Sequence, residues 1–132
     1  MRTDAVTRAT LALLRIVAGF ILFCPGASKL FGWFASMPAG FVLTPLLRTA
    51  GWIEVIGGPL IMLGLFTRPV AFLCSGEMAV AYFYSHAPQN FFPLLNRGDA
   101  AILYCFIFLY LAFAGGGCWS LDRMLSRGSG GR

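Results

Sequence analysis

The chain has 132 residues, 58% of them hydrophobic and 11% charged, with a formal net charge of +5 and a mean hydropathy of +0.78. A soluble domain carries about 25% charged residues, so this composition excludes a soluble enzyme, a disordered chain and a disulfide-rich secreted module. The ten Lys and Arg form no basic run or basic helix face, which makes them topology-setting charges rather than a nucleic-acid footprint.

A bilayer core is crossed by about 20 apolar residues in a helix, with a range of about 17–25. Four stretches meet or approach that length: 9–31, 51–66, 69–85 and 99–114. The first, with its basic start, has the outline of a signal peptide. Pro25-Gly26-Ala27-Ser28 is a poor small-residue cleavage site, however, so the stretch is taken as a span. Thr67-Arg68-Pro69 separates the second and third spans. Pro tolerates a helix start, where its missing N–H is not needed, so these spans form a tight antiparallel hairpin. The connections 32–50 and 86–98 hold Trp33, Phe34, Phe41, Leu46, Phe91, Phe92 and Leu95. Segments this apolar suit an interfacial or partly re-entrant path on one side of the membrane.

Arg2, Arg8, Arg15, Arg68, Arg123, Arg127 and Arg132 fall on one side, and Lys29, Arg48 and Arg97 on the other. The positive-inside rule puts the first set, and both termini, in the cytoplasm. Trp119, Leu121, Met124 and Leu125 interleave with Asp122 and Arg123, the pattern of a short helix lying on the inner surface. The fold expected is all-α and integral to the membrane: a four-transmembrane-helix bundle with two apolar interfacial loops on the outer side. Residues 1–126 form its single domain, and 127–132 a flexible tail.

Ionisable residues in lipid are costly and face the bundle interior. Ala12, Arg15, Gly19, Leu22, Gly26 and Lys29 share one helical face, as do Gly51, Glu54 and Gly58, and as do Cys74, Glu77, Ala81 and Ser85. Small residues on these faces permit close helix contact. At about 1.5 Å per residue, Arg15 and Glu77 lie roughly 9–12 Å from the inner end of their spans. Glu54, Asp99, His86 and Lys29 lie roughly 18–30 Å from it. Two groups are expected: a buried ion pair of Arg15 with Glu77, and an outer polar cluster of Glu54, Asp99, His86 and Lys29. The pair either fixes helix register or forms a proton or ligand site. The cluster either exchanges protons and binds a polar headgroup or quinone carbonyl, or ties helix ends to loops. Glu54, flanked by glycines, is the first candidate.

Other chemistries lack their residues. Cys24, Cys74, Cys105 and Cys118 contain no C-x-x-C pair. His86 is the one histidine, which excludes bis-His haem ligation within the chain. No metal-ligand spacing or nucleotide-binding loop occurs, and Gly115-Gly116-Gly117 follows a span, so it marks a helix end.

The chain resembles the DoxX family of small four-helix bacterial membrane proteins. The resemblance is carried by Arg15 with Lys29-Leu30-Phe31-Gly32, by Gly51-Trp52-Ile53-Glu54-Val55-Ile56-Gly57-Gly58 with Gly64 and Thr67-Arg68-Pro69, by Asn96-Arg97-Gly98-Asp99, and by Gly115-Gly116-Gly117-Cys118-Trp119-Ser120-Leu121-Asp122. It implies a membrane subunit of a redox-linked complex in the bacterial inner membrane, not an enzyme on its own. It also implies other membrane or redox subunits as partners and quinone as the small molecule, with no covalently bound cofactor. Relatives often carry a His where this chain has Pro25, so any ligand role of that His is lost here. A non-catalytic subunit bracing a larger assembly is the alternative. A small transporter or lipid-binding protein, self-associating to make a pathway, comes third.

Overall fold

The computed structural model describes residues 2–129, with Arg2 described by its backbone alone. Among these residues it contains helices and loops and no strand. α1 runs Arg2–Phe31, α2 Pro45–Leu63, α3 Thr67–Ala81, α4 Pro93–Asn96, α5 Asp99–Ala114 and α6 Leu121–Ser129. A π-helical turn, Tyr82–His86, extends α3. Two helices, Thr3–Phe31 and Pro45–Leu63, are long and apolar enough to cross a membrane; Asp99–Ala114 is apolar but shorter.

Local chemistry sets the boundaries. Thr44 caps α2 by accepting from the Leu47 N–H at 3.3 Å, and Pro45 occupies the first turn. This start lies six residues before the expected one, so the first connection shortens to 32–44. Gly64 closes α2 with φ +69°, a left-handed geometry that a side chain disfavours. Leu65 and Phe66 then lead into α3, giving the tight hairpin expected from Thr67-Arg68-Pro69. α6 continues through Ser129, past the boundary expected after residue 126, and residues 130–132 of the expected tail lie outside the described residues.

α1 packs along α2, and α3 along α5. The first pairing uses the small-residue face: a methyl at Gly19 would lie 2.7 Å from the Gly58 carbonyl oxygen, and one at Gly58 would lie 2.7 Å from that of Gly19. The backbones therefore touch, which is how small residues join helices where lipid supplies no hydrophobic drive. Leu22, Ile61, Cys74, Phe108 and Leu111 fill the centre between the pairs. Outward, Val17, Phe20, Phe72, Leu73, Leu103, Phe106 and Phe113 stand exposed. An apolar belt of that extent suits lipid, not water.

The two ends of the bundle differ. The hairpin end gathers residues 64–66, the glycine run and α6. The loop end gathers 32–44 and 87–98. There Asn96, 2% exposed, organises the second connection. Its Nδ2 donates to the Tyr82 hydroxyl at 3.2 Å and to the Asn90 carbonyl at 2.6 Å, and its Oδ1 accepts from the Gly98 N–H at 2.7 Å. The Tyr82 hydroxyl donates in turn to the Phe91 carbonyl.

Candidate functional site: a cavity between helix pairs and a clasp beneath it

Between the helix pairs, toward the loop end, lies a half-open cavity of about 910 Å³. Ile53, Phe72, Leu73, Met78 and Tyr104 give it apolar walls, and Phe41 and Leu46 reach it from the first connection. Lys29, Glu54 and Glu77 form its polar part, with His86 and Arg97 also lining it. Lys29 Nζ lies 2.9 Å from both oxygens of Glu54, a symmetric charge-assisted contact. The carboxylate is almost wholly buried and the ammonium partly exposed. Glu77 sits next along, beside Glu54. It is 9% exposed, and neither of its oxygens has a hydrogen-bond partner. An unpaired carboxylate is costly in apolar surroundings, so the site is complete only when a proton or a ligand donor sits on Glu77. His86 Nδ1 donates to the Asn96 carbonyl at 3.1 Å, which leaves Nε2 as the ring's free acceptor. Gly76 lies on the wall facing open space, and a methyl there would meet no atom within 4 Å.

Three members of the expected outer cluster thus share one cavity. Asp99 does not join them. It is exposed in the first turn of α5, outside the cavity lining, where a carboxylate complements the helix dipole. The expected Arg15–Glu77 pair is absent: Glu77 neighbours Glu54, and Arg15 turns to the hairpin end. The cause is depth: Arg15 lies level with Met62 at the hairpin end, whereas Glu77 lies level with Glu54, eight residues along α2 toward the loop end, about 12 Å away.

Arg15 is fully buried and holds the hairpin end together through carbonyls. Nη1 donates to Gly116 and, at 3.4 Å, to Cys118; Nη2 donates to Trp119 at 2.9 Å and to Met62 at 3.4 Å. Asp122 completes the clasp. Its Oδ1 accepts from the Phe66 N–H at 2.8 Å and its Oδ2 from the Thr67 N–H at 2.9 Å, while its own N–H donates to the Gly64 carbonyl at 2.9 Å. Partial burial opposes the Asp122 charge, but the N–H and hydroxyl of Thr67, the N–H of Phe66 and the nearby Arg15 guanidinium outweigh it and hold the carboxyl below its ordinary range. Sequence spacing missed Asn96, Gly76 and the roles of Gly116, Trp119 and Asp122. Of these, Asn96 was visible only in a family motif, and the 115–122 run only as a helix end and the start of an interfacial helix.

Helices joined through glycines, a lipid-facing apolar belt and charges turned inward define a small all-helical membrane protein. The chain belongs to the DoxX family, whose profile matches residues 10–87. A protein of Haemophilus influenzae, described as uncharacterized, is 44% identical over 117 residues, covering 85% of this chain and 87% of that one. No solved structure matches the chain.

Proposed function

We propose that the chain is a four-span subunit of a redox-linked complex in the bacterial cytoplasmic membrane, and that it binds a lipid-soluble carrier of the quinone class in the cavity between its helix pairs. In this reading α1, α2, α3 with its π turn, and α5 cross the bilayer. Arg8, Arg68, Arg123 and Arg127 at the hairpin end, against Arg48 and Arg97 at the other, favour a cytoplasmic hairpin end and cytoplasmic termini. Connections 32–44 and 87–98 then form the outer surface, and α6 lies along the inner one.

One observation carries the binding reading: a cavity of about 910 Å³ with mostly apolar walls, whose polar part holds the adjacent buried carboxyls of Glu54 and Glu77 beside the Lys29 ammonium. Ligand cavities typically run about 300–1,000 Å³, with a few convergent polar groups that fix orientation. The residues fit a quinone. When bound, it supplies two-electron, two-proton redox chemistry, with electrons coming from a partner subunit. Protonated Glu77 donates a hydrogen bond to a ring carbonyl. The Lys29 ammonium, held by Glu54, fixes the charge of the polar floor. Ile53, Met78 and Tyr104 surround it with apolar wall.

The test is titration of the purified protein, in mild detergent, with a short-chain quinone, following intrinsic fluorescence. Wild type should bind saturably. Gly76→Leu, which adds a side chain into open space, should keep wild-type helix content and lose that binding. Absence of saturable binding in wild type would refute the carrier reading and favour the bracing alternative.

A further inference from the structure

Glu54 of α2 and Glu77 of α3 meet in the polar part of the cavity, their carboxyl groups within hydrogen-bond reach of each other. Glu54 is 2% exposed and Glu77 9%. The Lys29 ammonium of α1 lies 2.9 Å from each oxygen of Glu54, and no donor reaches either oxygen of Glu77. One cation therefore stands against two carboxyl groups. The Cys74 thiol, one turn away on α3, and the Tyr104 hydroxyl of α5 are the other titratable groups facing them, and neither supplies a positive charge. Two ionised carboxylates in contact repel, and an uncompensated charge at this burial is prohibitive. A single proton removes both costs. It makes the polar floor neutral and turns the repulsion into a hydrogen bond.

The packing gives that proton one way in and out. Toward the hairpin end, Leu22, Ile61, Cys74, Phe108 and Leu111 fill the bundle centre with no exposed surface, and Arg15 is fully buried beyond them. Toward the loop end, the half-open cavity runs past Ser85 and His86 to Arg97. We propose that Glu54 and Glu77 share one exchangeable proton, and that this proton is taken up from and returned to the loop-end face alone. The proton site stands without the carrier, whereas its use rests on the carrier reading. There a ring carbonyl takes over the hydrogen bond: Glu77 turns its proton to the ligand, Glu54 stays with Lys29, and no charge is left unpaired. As electrons arrive from the partner subunit, the O–H bond on Glu77 breaks and the proton passes to the carrier oxygen. The pair then holds one excess negative charge beside Lys29 and draws a replacement proton from the loop-end face. Two electrons and two such protons complete the reduction.

Infrared difference spectroscopy of the carrier-free protein tests the site. At neutral pH, wild type should show one protonated-carboxyl C=O band that shifts in D2O. Glu77→Gln and Glu54→Gln should each abolish it at wild-type helix content, because the carboxylate that remains pairs with Lys29. Absence of the band in wild type, or its survival in either variant, would overturn the shared proton. In vesicles of one protein orientation, an alkaline jump at the loop-end face should bleach the band, and the same jump at the hairpin face should leave it. Bleaching from the hairpin face, or from neither face, would overturn the route. No quinone enters these measurements, so a chain that shows the band but fails the quinone titration keeps its proton site and loses only the carrier.

Discussion

Arg15→Met should loosen the hairpin end without disturbing the carrier cavity. The guanidinium is fully buried and donates to four backbone carbonyls, of which those of Gly116 and Trp119 make the close contacts. The other two, at 3.4 Å, add little. A hydrogen bond to a charged group contributes about 1.5–3 kcal/mol, so two contribute about 3–6 kcal/mol. Replacing a buried ion pair by apolar side chains is often neutral, because both charges leave together. Here the partners are main-chain carbonyls, which no substitution removes. The cost should therefore resemble that of breaking a buried pair from one side, about 3–5 kcal/mol. Chemical denaturation in detergent, followed by circular dichroism, measures it. Trypsin cleavage at Arg123 gives a local readout, since release of the clasp frees α6. Glu77→Gln is the control: an Arg15–Glu77 pair would make it costly, whereas the observed geometry predicts almost no loss, because the amide needs no counter-charge. A loss below about 1 kcal/mol in Arg15→Met with unchanged cleavage at Arg123 would refute the clasp.

The floor of the cavity and the pH response of the clasp give two more tests. Lys29→Met leaves the buried Glu54 carboxylate without its cation and should cost about 3–5 kcal/mol, and Lys29→Met with Glu54→Gln should recover most of it, as a double-mutant cycle in denaturant would show. Asp122 has a folded pKa below its unfolded value of about 3.9. Its stabilisation is therefore fully present above the unfolded value and lost as pH falls through the folded one. Melting temperature measured against pH should drop more steeply below about pH 4 in wild type than in Asp122→Asn.

Much of the helix arrangement was legible because small residues and charges recur with helical period. The face from Ala12 to Lys29 needed only its spacing, and the hairpin needed only Thr67-Arg68-Pro69. The polar site was half legible. Lys29, Glu54 and His86 share the cavity, as depth along the helices suggested. Depth counted from assumed span ends misplaced Glu77, however: Arg15 stands at the hairpin end, whereas Glu54 and Glu77, placed in different groups by that count, stand side by side on consecutive helices. Asp99 has the right depth and the wrong direction. Asn96 was illegible for another reason: its partners Tyr82, Asn90 and Gly98 converge only once the second connection has folded.

The two ends of the bundle also differ in what a ligand can ask of them. At the hairpin end, backbone carbonyls and N–H groups from α2, α3 and the segment after α5 converge on Arg15 and Asp122, so the helix pairs are bound together by groups that mutation of their neighbours cannot delete. At the loop end the carrier cavity lies between the pairs, and the polar contact at its floor, Lys29–Glu54, ties α1 to α2, two helices already packed through their glycines. That contact itself links no pair to the other; across the pairs only Glu77 of α3 stands against Glu54 of α2, two carboxyls that hold together only through a shared proton. A ligand that pairs with Glu77 while touching the wall of α1 and α2 would strengthen that link. Its binding would therefore stiffen the loop end most, with faster amide hydrogen exchange in 82–98 when it is absent and little change around Asp122.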